Sequence, residues 1–386
     1  MSAVLFVSNG HGEEAIASRI AVELTRLNPA LTIDHLALVG AFGHPSAMRD
    51  VGPRRVMPSG GLLAMGNVRN ILRDVRGGLI GLTLSQRKFL RQARGAYAVV
   101  AAIGDVYALT MALQARAPTV FVGTAKSVHV APYGKVEERI LRRAYAVFVR
   151  DEATSQRLRA HGVDAQAPGN VIVDLFVGDG DPAAESALRD FAPPLVLFPG
   201  SREAAYSEGR AIVAAIAPLI ESHPTLGAAM SIAPGLDVQR FADEFGRAGW
   251  HATPGNDAHI PFVLRAGARE FVRAWRGPVG PLLSHAALVV GQAGTANEAA
   301  AAAGVPVVAL DLHETPKTAW YRKRQRGLLG EALVLVPGEP LAASREIAAL
   351  LANDVQRARM GAVGRERMGR PGGALAVAHC IAELAA

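Results

Sequence analysis

Short apolar runs recur along the whole chain, separated by stretches with helical spacing. Val4–Ser8, Thr32–Val39, Tyr97–Ile103, Thr119–Val122 and Ala146–Val149 form a first series. Leu195–Phe198, Ala228–Ile232, Leu288–Val290, Val307–Leu310 and Ala332–Val336 form a second. These runs are too short for helices and lack polar alternation, so they predict strands buried on both faces. Between them, Ile16, Ile20, Leu24 and Leu27, and later Ile212, Ile216 and Leu219, recur at helical spacing. Strand–helix alternation of this kind predicts doubly wound parallel sheets. Trp250–Pro278 is less regular, with one short strand expected at Glu270–Val272. Gly40–Gly66 is rich in Gly, Pro and Met and reads as loop.

The stretch Ala286–Leu310 organises the rest. It predicts strand, glycine turn, helix and strand, with Gly291 and Gly294 allowing a sharp turn. Thr295 followed by Glu298 has capping-box spacing, and Gly304 marks a helix stop after Ala303. A helix that begins at the carboxyl edge of a parallel sheet offers free N–H groups and a positive dipole end. That is a phosphate-binding arrangement. Helix capping alone also accounts for Thr295 and Glu298.

The character of the chain changes over residues 177–194, the expected linker. This divides it into an α/β domain over 1–176, a second over 195–370, and a C-terminal helix over 371–386 that can pack back on the first. The expected fold class is α/β: two doubly wound, Rossmann-like domains facing a central cleft. A length of 386 residues agrees with two or three domains at ~150 residues each. Asp179-Gly180-Asp181 in the linker has a spacing that can hold a metal on a diphosphate, but Pro182 follows directly and favours a polar turn.

Half the residues are hydrophobic, enough for a proper core in each domain. The one cysteine, Cys380, rules out a disulfide framework and a cysteine metal site, and suits a reducing compartment. The first residues read as a strand, not a signal peptide, and no uncharged run approaches bilayer length. A cytoplasmic protein is therefore expected, with peripheral attachment to the inner face of the membrane as a further option. The net charge is +7. Most of the positive charge is arginine, which suits phosphate groups or anionic surfaces. Arg69–Arg94 is a basic amphipathic segment that can rest on an anionic membrane; packing of its apolar face on its own sheet is the commoner outcome. Tryptophan and phenylalanine do not interleave with the arginines, so a nucleic-acid partner is not expected.

Several loops carry candidate chemistry. Gly10-x-Gly12-x-x-Ala15 partly matches a dinucleotide fingerprint, but Glu13 and Glu14 put carboxylates where a pyrophosphate would sit. His11, Glu13 and Glu14 are general-base candidates, and the two glutamates also complement a helix dipole. Asp105, just past a buried strand, reads either as a base or as a helix N-cap. Pro199-Gly200-Ser201-Arg202 offers close backbone approach, a hydroxyl and a guanidinium fork at a strand end. His313, Glu314 and Lys317 follow the strand after the organising helix and can contact a sugar or phosphate.

Taken together, Pro199–Arg202, the Gly294-Thr295-Ala296-Asn297-Glu298 element and Gly169–Asp174 resemble the lipid-A-disaccharide synthase family, most closely its divergent related branch. The resemblance spans nearly the whole chain. The first loop, Gly10–Glu14, departs from the family's Gly-Glu-x-Ser-Gly-Asp. The resemblance implies a GT-B, inverting glycosyltransferase that needs no metal or cofactor. It implies transfer from a UDP-activated, GlcNAc-type, acylated sugar to a lipid-linked or glycan acceptor. It places the UDP phosphates on Gly200, Ser201, Arg202 and the Gly294-Thr295 turn, and the ribose on Glu298. Gln292, Asn297 and His313 complete the expected donor set, and Asp105, His11 and Glu13 the expected catalytic set. Two alternatives stand beside this reading: a UDP-GlcNAc 2-epimerase-like enzyme of the same shape, and a nucleotide- or nucleic-acid-binding module.

Overall fold

The computed structural model describes residues 2–39, 48–55, 78–176, 182–188, 194–223, 225–266, 269–312 and 316–386. The chain divides into two compact units, Met1–Leu175 with Gly369–Ala386, and Phe176–Met368.

Among the described residues the first unit holds a seven-stranded sheet in the order β3-β2-β1-β4-β5-β6-β7. Its strands are β1 (Ala3–Ser8), β2 (Thr32–Ala37), β3 (Arg49–Asp50), β4 (Val99–Gly104), β5 (Thr119–Gly123), β6 (Ala146–Val149) and β7 (Ala165–Gln166). Every neighbouring pair is parallel. The unbroken apolar runs are explained by cover on both faces. Val4 and Phe6 of β1 pack with Ile16 and Ile20 of the helix His11–Leu27 and with Val377 and Ile381 of the helix Gly373–Ala385. Leu5 and Val7 point the other way, into a core with Leu109, Leu141 and Leu158.

The last helix is anchored to this unit by one carboxylate. Both oxygens of Asp174 accept backbone hydrogen bonds at its N-terminus, from Gly372 N and Ala374 N, each at 2.6 Å. The backbones meet closely there: a β-carbon on Gly169 would lie 2.5 Å from Gly373 N.

Among the described residues the second unit holds an eight-stranded sheet in the order β10-β11-β12-β9-β8-β13-β14-β15. The strands are β8 (Leu195–Phe198), β9 (Ala228–Ser231), β10 (His251–Asp257), β11 (Ile260–Ala266), β12 (Arg269–Trp275), β13 (Leu288–Gly291), β14 (Val307–Asp311) and β15 (Leu333–Pro337). Leu195, Leu197 and Val290 pack on Ile212, Ile216, Phe241 and Phe245.

Two expectations are corrected here. Trp250–Pro278 is not irregular: β10, β11 and β12 form an antiparallel meander there, which joins the parallel sheet through β12 and β9. β10 is a largely exposed edge strand containing Pro254 and Gly255, so it needs no apolar run and leaves no such signal. The expected linker contains the helix Pro182–Leu188, with Ala184 and Leu188 buried. Asp179 and Asp181 lie outside the described residues.

Asp174→Ala removes both capping hydrogen bonds of the C-terminal helix. It is expected to lower stability by about 1–2 kcal/mol. Urea unfolding measures this, and limited proteolysis should show earlier cleavage near Gly369–Gly373.

Candidate functional site

Strand order reverses between β8 and β13 in the second unit. Connections leave such a point in opposite directions and open a crevice at the carboxyl ends of the strands. Two loops meet there. Pro199-Gly200-Ser201-Arg202 leaves β8, with Gly200 at φ +115°. Gln292-Ala293-Gly294 leaves β13, tied back by Gln292 N–H donating to Phe198 O at 2.8 Å. A pocket of about 310 Å³ lies against both. Gly200, Ser201, Gly294 and Thr295 line one side; Ile232, Pro234, Arg276 and Gly277 line another. Its volume is near the lower end for small-molecule sites, ~300 Å³.

The helix that starts at this pocket, Thr295–Ala303, is uncapped. Its N-cap residue is Gly294, and no side chain among the described residues caps its first N–H groups. The expected capping box is therefore absent. Thr295 already lies inside the helix, so it does not occupy the N-cap position from which a hydroxyl caps the first turn. The stop at Gly304 is as expected, with φ +84°.

The two turn glycines act differently from expectation. Gly291 and Gly294 do not have positive φ. They are needed for close approach: a β-carbon on Gly291 would strike the Asn297 amide, and one on Gly294 would strike the Tyr321 hydroxyl.

The donor residues expected from sequence fall into two groups. Ser201, Arg202 and Thr295 are exposed, and Gly200, Gly294 and Glu298 are half-buried. The Arg202 side chain has no hydrogen bond or ion pair with another described residue; its carbonyl accepts from Ala205 N at 2.8 Å. Asn297 and Gln292 instead brace the turn. Asn297 is fully buried and donates from Nδ2 to Gly291 O at 3.0 Å. Gln292 donates to Leu310 O at 3.1 Å and accepts from Arg322. His313 and Glu314 lie outside the described residues, as do the side chains of Lys317 and His11.

Sequence reasoning missed two residues of the helix Pro316–Leu329. Gln325 is buried and donates to Ala293 O at 2.8 Å and Gly294 O at 3.1 Å, holding the turn from behind. Tyr321 lies over Gly294. The signal for it was an aromatic pair, Trp320-Tyr321, inside an otherwise basic helix.

The first unit has its own reversal, between β1 and β4. Asp105, after β4, takes the N-cap role, one of the two expected of it. Oδ1 accepts from Tyr107 N at 3.0 Å and Ala108 N at 3.1 Å, which caps the helix Val106–Ala112. Oδ2 accepts from Asn9 Nδ2 at 3.1 Å, in the loop after β1. Glu13 stands beside it. Thr124 donates to Glu13 at 3.4 Å, and Gly104, at φ +127°, would bring a β-carbon to 3.0 Å from Glu13 Cγ. Burial raises the pKa of Glu13, its own backbone hydrogen bond opposes this, and the charge of Asp105 raises it further. Glu14 is buried. Two carboxylates with different environments at one strand-end cluster can divide acid and base roles.

Of the basic segment, residues 69–77 lie outside the described residues. The helix Leu79–Gln92 packs through Leu82, Gln86 and Leu90. It leaves Ile80 58% and Leu84 59% exposed, and Leu84 lies beside Arg87, Lys88 and Arg91. No helix among the described residues is long and apolar enough to cross a membrane. No described group of His, Cys, Asp or Glu is arranged to hold a metal.

No protein-family model and no curated protein matches the chain. Solved structures do. The calicheamicin glycosyltransferase CalG4 matches 99% of this chain and 98% of its own, with 16% identity and a TM-score of 0.59. UDP-GlcNAc 2-epimerase from Neisseria meningitidis, bound to UDP-GlcNAc, matches 99% of this chain and 100% of its own at 14% identity and a TM-score of 0.55. UDP-GlcNAc 2-epimerase from Methanocaldococcus jannaschii covers the same shares at 12% identity and a TM-score of 0.55. The fold is GT-B. Identities this low carry the GT-B architecture and no more.

Glu13 gains its proton more readily in the folded chain than in the unfolded one, where its ordinary value is 4.5. Its contribution therefore favours unfolding increasingly as pH rises above that value. Glu13→Gln is expected to raise the melting temperature relative to wild type at pH 7, and to lose this advantage near pH 4. Thermal unfolding at the two pH values checks it; a lower melting temperature at pH 7 would overturn the assignment.

Proposed function

We propose that this protein is a UDP-sugar-dependent glycosyltransferase, most similar in chemistry to the lipid-A-disaccharide synthases. One observation carries the reading: an uncapped helix N-terminus facing a pocket at the strand-order reversal of the second unit. Orphan N–H groups and the dipole end favour an anion there. Ser201 and the unpaired Arg202 add a hydroxyl and a guanidinium for a diphosphate. The largely apolar remainder of the pocket, with Phe176, Ile232 and Val279, suits a nucleobase. Glu298 is assigned to the ribose hydroxyls, so residues 195–370 act as the donor-binding domain. The Neisseria structure of the same fold carries UDP-GlcNAc, which supports that donor.

Residues 1–176 are assigned the acceptor and the base. Asp105, with Glu13 beside it, takes the proton of an acceptor hydroxyl. The oxygen attacks the anomeric carbon as the bond to UDP breaks, giving an inverted glycoside. Charge developing on the departing diphosphate is stabilised by the helix N-terminus and Arg202, the role a metal plays elsewhere. Ile80, and Leu84 beside Arg87, Lys88 and Arg91, support contact with an anionic inner membrane surface and hence a lipid-linked acceptor.

An epimerase is the second reading, supported by the two epimerases of the same fold. It would need acid and base groups on both faces of the sugar, for which His11, Glu13 and His313 are the candidates. Incubation with UDP-GlcNAc and no acceptor separates the two: a new UDP-sugar would end the transferase reading.

Calorimetry is expected to show binding of UDP and not of NAD. Arg202→Ala should weaken UDP by ~10-fold or more, as expected for hydrogen bonds to a charged group. Asp105→Asn should lower turnover by about 10²–10⁴ with UDP affinity unchanged. Absence of UDP binding to the wild-type protein would sink the proposal.

A further inference from the structure

The helix Pro316–Leu329 lies against the turn that precedes the uncapped helix, and side chains of three of its residues reach that turn. Gln325 holds the carbonyls of Ala293 and Gly294, and Arg322 holds Gln292. Both are engaged with protein groups. Tyr321, one residue before Arg322 and four before Gln325, is not. Its hydroxyl stands against the α-carbon of Gly294, in the space a β-carbon would fill. It makes no hydrogen bond with any described residue. Tyr321 as a whole is 39% exposed, so the residue is packed against the turn without being sealed in the core.

The charges around it are those of the donor site. Burial raises the pKa of Tyr321, the neighbouring Glu298 raises it further, and Arg202 opposes the shift. The phenol therefore keeps its proton at physiological pH, and its hydroxyl stands beside Gly294 able to donate.

We propose that Tyr321 is a positioning residue for the diphosphate: its hydroxyl donates to a phosphate oxygen held at the N-terminus of Thr295–Ala303. This deepens the reading of that site as a nucleoside-diphosphate site and rests on it. An anion at an uncapped helix N-terminus meets N–H donors along the helix axis. Arg202 reaches it from the loop after β8. Tyr321 adds a donor from a third element, held in place beforehand by the contacts of Arg322 and Gln325, so little ordering is left for binding to impose. Glycine at 294 is then a functional requirement, because any side chain there would displace the hydroxyl from the turn.

The hydroxyl sees phosphate and not the nucleoside, which makes the proposal testable with one atom. Calorimetric titration of UDP and uridine would be compared between wild type and Tyr321→Phe, which keeps the ring and its packing. UDP affinity is expected to fall about 10-fold, the usual effect of losing a hydrogen bond to a charged group. Uridine affinity and the melting temperature should not change. Equal UDP affinity in the two proteins would overturn the role of Tyr321 and leave the nucleotide site standing. Equal weakening of UDP and uridine would make Tyr321 a packing residue, with the same consequence. Failure of the wild-type protein to bind UDP would instead remove the nucleotide site itself.

Discussion

A helix N-terminus left without a capping side chain is the feature on which the second unit turns. Three or four N–H groups at the start of any helix lack partners within it. Most helices answer this with a Ser, Thr, Asp or Asn side chain, as Asp105, Asp151 and Asp237 do elsewhere in this chain. At Gly294 nothing of the kind is present. The helix start lines a pocket together with Ser201, and the next residue, Arg202, has no acidic side-chain partner among the described residues. Glu298 in the first turn offsets part of the dipole, but the first N–H groups receive no capping side chain among the described residues, and a negatively charged ligand at the pocket is the simplest group to complete them.

Holding that place open requires rigidity behind it. Asn297 and Gln325 are buried amides whose hydrogen bonds go to the backbone of residues 291–294 or to each other. Asn297 Oδ1 is buried without a hydrogen-bond partner, a local cost that the packing around it must offset. Small residues let the supports come close. Gly361 and Gly364 of the helix Asp354–Met368 lie where a β-carbon would strike the carbonyls of Gly304 and Ala301. The alanine-rich helix Thr295–Ala303 is therefore packed between the sheet and a second helix, and its N-terminus has little freedom to move.

The first unit uses the same sheet geometry with the opposite charge. Its strand-order reversal gathers Asp105 and Glu13, and burial works against the ionisation of Glu13. The unit is completed by the end of the chain, because Asp174 caps a helix nearly two hundred residues later. Gly169 lets two backbones meet, and Asp174 supplies the cap.

The order and identity of most elements were legible in the sequence because parallel strands buried on both faces must be apolar throughout, and such runs stand out. Leu195–Phe198 was placed to the residue, and Val307–Leu310 to within one, for that reason. The antiparallel meander over 251–275 was not legible, because edge strands are half-exposed and carry Pro254 and Gly255 without penalty. At the site, it was the family resemblance that grouped Ser201, Arg202 and the Gly294-Thr295 turn, and Ser201, Gly294 and Thr295 do line one pocket. Sequence spacing could not say which of Gln292, Asn297, Thr295 and Glu298 would face that crevice and which would brace it. That depends on where a helix begins to within one residue, and on side chains such as Tyr321 and Gln325 that arrive from thirty positions downstream. Only packing in three dimensions sets both.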